Sequence, residues 1–150
     1  GQLQTDIAQL LNSVVEKRCQ GFQPIPTVNC ESELLVQIDA EKFANVMYHL
    51  INNAQQATKD DGYVLIDAGR VNTNGQDNIV VKIKDNGEGM SADFIETRLF
   101  KPFDTTKGNA GMGIGAYDAK NYIEQIGGVI IVDSELGQGT MFTLSIPVTE

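Results

Sequence analysis

The chain has 150 residues, a formal net charge of −9, 41% hydrophobic residues and two cysteines. That length suits one domain with one good core, and so negative a charge opposes non-specific nucleic-acid binding, which needs a surplus of Lys and Arg. No run approaches the ~18 apolar residues of a membrane span, no signal-peptide pattern opens the chain, and Cys19 and Cys30 lack the paired spacing of a zinc site, reading as free thiols in a reducing compartment.

The Gly1 start reads as that of an excised fragment. An opening helix is expected at about 5 to 18, with Ile7, Leu10, Leu11, Val14 and Val15 on one face. A strand signal follows at 33 to 38 (ELLVQI). The next helix, 41 to 58, carries Phe43, Val46, Met47, Leu50, Ile51, Ala54 and Ala57 on a broad apolar face and Asn45, His49, Asn52, Asn53 and Gln56 opposite. A solvated helix face is ordinarily Lys and Glu, whereas Asn is a poor helix former. Amide and imidazole groups stacked at i, i+4 instead suit a hydrated cation or a phosphate. Alternating strands at 63 to 71 and 78 to 84 are joined by a turn at 72 to 77.

From Asp85 the pattern changes: DNGEGM at 85 to 90, RLFKPFDTTK at 98 to 107 and GMGIG at 111 to 115. Gly87 and Gly89, then Gly111, Gly113 and Gly115, can bring bare backbone close to a ligand, and a ligand with phosphates fits best. GMGIG is expected as a loop opening a helix at about 115 to 126, with Ile114, Ala119, Tyr122, Ile123 and Ile126 on one face and Gly127 at the stop. Such a loop presents unpaired N–H groups and the positive end of the dipole to an anion. A Walker loop is excluded, since no GKS or GKT follows, and GMGIGA fails the Rossmann spacing. Residues 91 to 110 show few periodic apolar positions and are expected to be weakly protected, ordering over bound nucleotide as a lid. Strands at 128 to 133 and 140 to 147, with a turn at 136 to 139, close the chain.

An Asn-bearing helix (HLINNA), then DNGEGM, LFKPFDTTK, GMGIG and GQGTMF resemble the ordered N, G1, F, G2 and G3 boxes of the ATP-binding domain of sensor histidine kinases, within the gyrase/Hsp90/histidine kinase/MutL superfamily. PFDTTK with NAQQA is most similar to the nitrogen-regulator-like branch, with a second likeness to sensor kinases of the bacterial exopolysaccharide and protein-sorting type. The resemblance implies a two-layer α/β (α+β) sandwich of the Bergerat type. In it a mixed, mostly antiparallel five-stranded sheet is covered on one face by about three helices, all within a single domain over 1–150.

The resemblance also implies roles. Asp85 would accept a hydrogen bond from the adenine amine, Gly89 would allow close approach to the base, and Thr140 would support the adenine pocket. Asn53 would ligate Mg²⁺ alongside phosphate oxygens. Lys107, after Thr106, would meet the outer phosphates, and Gly111, Gly113 and Gly115 would wrap the phosphate chain with Met112 and Ile114 between them. Met90 and Met112 read equally as core fillers or base contacts, and Phe100 and Phe103 as lid or core packing as well as pocket residues. Two departures stand out: Gln56 replaces a basic residue common in the family, and His49 occupies the place of the first Asn of its box. His49 also stands where the hydrolysing branch carries a catalytic Glu, so fast ATP hydrolysis is not expected.

The implied activity is to bind Mg·ATP and donate the γ-phosphate to a histidine on a separate dimerisation and phosphotransfer domain, a response regulator being served indirectly. His49, the single histidine, lacks the context of a phosphoacceptor and is expected to serve the bound nucleotide. An anti-sigma-type serine kinase and a non-catalytic ATP-gated interaction module are the alternatives. The resemblance further implies a cytoplasmic domain that touches neither nucleic acid nor membrane, within a parent of a kind that can be anchored in the inner membrane.

Overall fold

The computed structural model describes residues 3–102 and 110–148, with side chains at 4–102 and 115–148. A strand β1 (Leu3–Asp6) leads into helix α1 (Ile7–Arg18), which Asp6 caps by accepting the Ala8 N–H at 2.9 Å. Lys17 and Arg18 in the last turn complement the helix dipole. Strands β2 (Thr27–Cys30) and β3 (Leu35–Ile38) follow. Helix α2 (Ala40–Gln56) is capped by Asp39, which accepts the Lys42 N–H at 3.1 Å. Strands β4 (Val64–Thr73) and β5 (Gln76–Asp85) form a hairpin whose turn residues Asn74 and Gly75 both have positive φ (54° and 85°), the conformation that matches strand twist. A short helix α3 (Ala92–Phe94) runs into a π-helical turn (Ile95–Leu99); then come α4 (Ala110–Gln125), β6 (Val129–Glu135) and β7 (Gly139–Pro147).

The main sheet has five strands in the order β2-β4-β5-β7-β6, with β2 parallel to β4 and every other pair antiparallel. Period-two alternation sends Val64, Ile66, Ile79, Val81, Ile83 and Leu144 inward, each no more than 1% exposed. Against them pack Ile7 and Leu11 of α1, Phe43, Met47, Leu50 and Ile51 of α2, and Ala119 and Ile123 of α4. Strands β1 and β3 pair antiparallel as a separate two-stranded ribbon. No described helix is long and apolar enough to cross a membrane.

Four features differ from the sequence expectation. The strand expected at 33 to 38 exists as β3 but joins the ribbon, and the fifth place in the main sheet goes to β2, an unpredicted four-residue edge strand. Helix α4 starts at Ala110, so Gly111 and Gly113 lie within its first turns instead of in a loop ahead of it. Gly lowers helix propensity without forbidding the conformation. Residues 92–99 are helical, and Leu99 is 2% exposed, anchoring the front of the segment expected to be unprotected. On α2, Ala57, expected on the apolar face, sits half-exposed at the C-cap, and Gln55, which the expected faces left out, is fully buried.

Candidate functional site

The site is built where β5 runs out. Asp85, its last residue, is 5% exposed, and its Oδ1 accepts the Gly87 N–H at 2.8 Å, closing a turn of the chain. Burial pushes the Asp85 carboxyl above the usual 3.8, partly opposed by the N–H groups of Gly87 and Thr140. The loop beyond is pinned on both sides. Glu88 N–H donates to the Ala57 carbonyl of α2 at 3.0 Å, Gly137 N–H donates to the Glu88 carbonyl at 2.7 Å, and Met90 N–H donates to Ser134 Oγ at 2.8 Å.

This pinning explains the glycines. A Cβ on Gly87 would overlap the Ala57 carbonyl oxygen, and one on Gly89, where φ is +71°, would overlap that of Glu135. The sequence reading assigned these glycines to ligand approach. The structure adds a tighter demand, the contact of protein backbone with protein backbone.

Between this loop, α2, α4 and β7 lies a cleft. Asp85 and Thr140 form its polar floor, with Gly89 and Met90 beside them and Asn53 on the α2 wall. Ala54, Ala57, Leu99, Ala116 and Phe142 supply the apolar walls, and Glu88 stands at the loop. The cleft therefore joins Asn53, Asp85, Gly89, Met90 and Thr140, residues far apart in sequence.

Other expected residues take different places. Gly87 is not part of the cleft lining, packing against α2 instead. Gly115 packs α4 onto α2: an added Cβ would lie 3.3 Å from His49 Cβ and 3.4 Å from Asn53 Nδ2. His49 is exposed beside Tyr48 (ring centroids 5.7 Å apart) and is outside the lining. Phe100 stands behind the wall, edge-on to Phe142 with centroids 6.4 Å apart and with Lys120 Nζ 5.4 Å over its face, while Leu99 faces the cleft. Gln56 donates to Asn52 Oδ1 at 2.8 Å on the exposed side of α2. Phe103, Thr106 and Lys107 lie outside the described residues, as do the side chains of Met112 and Ile114.

The polar face of α2 is thus divided. Asn53 reaches the cleft, whereas Asn45 accepts from Arg18 at 2.8 Å, and that guanidinium also stacks 3.9 Å over the Tyr48 ring. Sequence reasoning missed Ala57, Leu99, Ala116, Phe142 and Ser134. The small residues at 54, 57 and 116 carried a signal in retrospect, since they leave room between helix and sheet for a flat ligand. A buried acceptor facing that slot suits a planar heterocycle bearing an amine, and an amide at its side suits the polar remainder of such a ligand.

Residues 38–150 match the family model described as histidine kinase-, DNA gyrase B- and HSP90-like ATPase. Sporulation kinase E of Bacillus subtilis is 32% identical over 154 residues, covering 99% of this chain and 19% of that protein. Sensor histidine kinase ZraS of Salmonella typhi is 34% identical over 113 residues, covering 75% of this chain and 23% of that protein. The catalytic domain of histidine kinase ThkA superposes with a TM-score of 0.80 at 23% identity, covering 100% of this chain and 99% of that one, a likeness of fold. The chain spans about a fifth of the length of these two curated relatives.

Proposed function

The chain belongs to the histidine kinase-, DNA gyrase B- and HSP90-like ATPase family, and from that premise we propose that it binds Mg·ATP and hands the γ-phosphate to a histidine on a separate dimerisation and phosphotransfer domain of its parent kinase. One observation carries the reading: the buried Asp85 acceptor at the floor of an apolar slot, with Asn53 on its wall. Asp85 accepts from the adenine amine, Ala54, Ala57, Leu99 and Phe142 sandwich the base, and the phosphates leave the slot past Asn53 toward the start of α4.

Among the described residues no cluster of three or more His, Cys, Asp or Glu can hold a metal ion. A Mg²⁺ ion would take Asn53 Oδ1 together with phosphate oxygens and water, an oxygen set that suits it. When bound, it would neutralise charge on the phosphates. The residues of this chain would position the nucleotide and shield the base from water. Lys107 is assigned to the outer phosphates, and the single histidine, His49, is assigned to the nucleotide side and not to phosphoacceptance. The names of the relatives favour this reading over a serine kinase or an ATP-gated module. PFDTTK and NAQQA support placement in the nitrogen-regulator-like branch. We place the domain in the cytoplasm, with a response regulator receiving the phosphoryl group indirectly.

Titration with ATP, ADP and GTP, with and without Mg²⁺, followed by incubation with γ-labelled ATP, tests the proposal. ATP should bind in preference to GTP, the isolated chain should remain unlabelled, and a supplied phosphotransfer domain should become labelled. Label on His49 would overturn the assignment of this chain as a donor.

A further inference from the structure

Three hydrogen bonds meet at one hydroxyl that is not part of the cleft lining. Ser134 Oγ accepts the Met90 N–H at 2.8 Å, donates to the Gly139 carbonyl oxygen at 2.9 Å and lies 2.7 Å from Thr140 Oγ1. A hydroxyl has one proton and two lone pairs. The Gly139 oxygen can only accept, so the Ser134 proton goes there. The Met90 N–H takes one lone pair, and the other is left to receive the proton of Thr140. Thr140, 8% exposed on the cleft floor beside Asp85, therefore turns lone pairs alone toward a ligand.

We propose that Ser134 is a positioning residue for purine selection: by holding the Thr140 proton, it makes the Asp85–Thr140 floor an all-acceptor surface that takes a 6-aminopurine and rejects a 6-oxopurine. The inference rests on the nucleotide reading above and adds a determinant to it. Asp85 alone does not discriminate fully, because a 6-oxopurine carries an N1–H that a carboxylate can accept. A freely turning Thr140 hydroxyl would complete that wrong match by donating to the C6 carbonyl. With its proton held by Ser134, the same carbonyl meets lone pairs, and the mismatch is felt in a buried site where an unmade hydrogen bond is costly.

The experiment is calorimetric titration of the whole chain with ATP and inosine triphosphate, for the native sequence, Ser134→Ala, Ser134→Thr and the pair Ser134→Ala/Thr140→Val. The native chain should prefer ATP. Ser134→Ala should narrow that preference roughly tenfold, mainly through tighter inosine triphosphate binding. Ser134→Thr should restore the preference, and Thr140→Val should abolish the gain made by Ser134→Ala. If Ser134→Ala does not fold, Ser134→Cys, whose sulfur is a weak acceptor, carries the same expectation. An unchanged ratio in a folded variant, or a gain that persists without the Thr140 hydroxyl, overturns the role of Ser134 while leaving ATP binding intact. A native chain that binds neither nucleotide would instead remove the nucleotide reading and this inference with it.

Discussion

Asp85 and Thr140 face each other across adjacent antiparallel strands, the last residue of β5 opposite the second residue of β7. The two polar groups of the cleft floor are thus set by strand register and not by loop conformation. Slipping the pair by one residue would turn one of them to the outer face of the sheet.

Asp85→Asn separates binding from stability. Loss of the carboxylate should weaken ATP binding by about 1–3 kcal/mol, the cost of a buried hydrogen bond left unmade. Burial raises the pKa of Asp85 in the folded chain, so its contribution to stability is full below about 3.8 and is lost as pH rises through the raised value. At neutral pH the ionised carboxylate therefore weakens the empty fold. Unliganded Asp85→Asn should resist urea better than the native chain at pH 7, with the advantage shrinking as the medium becomes acidic. No gain at pH 7 would contradict the electrostatic account.

Two glycines with similar dihedrals should respond differently to alanine. Gly89 and Gly137 have φ of +71° and +82°, but a Cβ at Gly137 meets nothing within 4 Å, whereas one at Gly89 overlaps the Glu135 backbone. Gly137→Ala should cost about 1–2 kcal/mol, the ordinary penalty of a left-handed residue. Gly89→Ala should cost clearly more and weaken nucleotide binding, since the loop has to leave its seat on β6. Equal urea midpoints for the two variants would refute the difference.

Gln55 is the polar pin between α2 and the loop after α1. Its Nε2 faces the carbonyl oxygens of Cys19, Phe22 and Pro24 at 3.1, 2.6 and 3.2 Å. Gln55→Leu keeps the bulk but leaves these acceptors unpaired, so a loss of about 1–3 kcal/mol is expected. Gln55→Glu should be worse, because it adds a buried charge against carbonyl oxygens. Hydrogen exchange should quicken at residues 19–24 in both variants; exchange unchanged there would remove the pin.

Gly115→Ala should affect ligand and fold unequally. Alanine favours the helix by about 1 kcal/mol, which the close approach to His49 Cβ offsets. Net stability should stay within about 1 kcal/mol of the native chain. Asn53 Nδ2, 3.4 Å from the new methyl, comes into contact with it and loses freedom to turn toward a ligand. The Mg²⁺-dependent part of ATP affinity should fall, as titration with and without the ion would read.

Much of the architecture was legible because it is periodic. The faces of α1 and α2 and the alternation of β4, β5 and β7 follow from their apolar spacing, and the hairpin turns from their Asn and Gly residues. β2 escaped because four residues after Pro26 give alternation too little length, and its side chains alternate only between exposed and half-buried. β3 was recognisable as a strand, yet periodicity does not name a partner, so its place in the ribbon was not. In the site, Asp85, Asn53 and Thr140 stood out by motif. Ser134 did not, since its importance lies in three partners that only folding assembles. Gln55 was hidden for a different reason: it lies one turn after Ile51 at the margin of the apolar face, and a polar side chain there gives no sign of burial.

The last strand at one margin of the sheet, β6, bears on how the protein meets other copies of itself. Among the described residues no strand pairs with its outer side, and Val129 and Ile131 are 54% and 53% exposed. A four-residue apolar run, Val129 to Val132, ends at Asp133 and Glu135, whose charges stand guard over an otherwise adhesive edge. Replacement of those two carboxylates by neutral side chains invites edge-to-edge association. Heating a concentrated sample should accordingly end in irreversible aggregates, so its endurance at high temperature is a rate that depends on concentration and not an equilibrium midpoint.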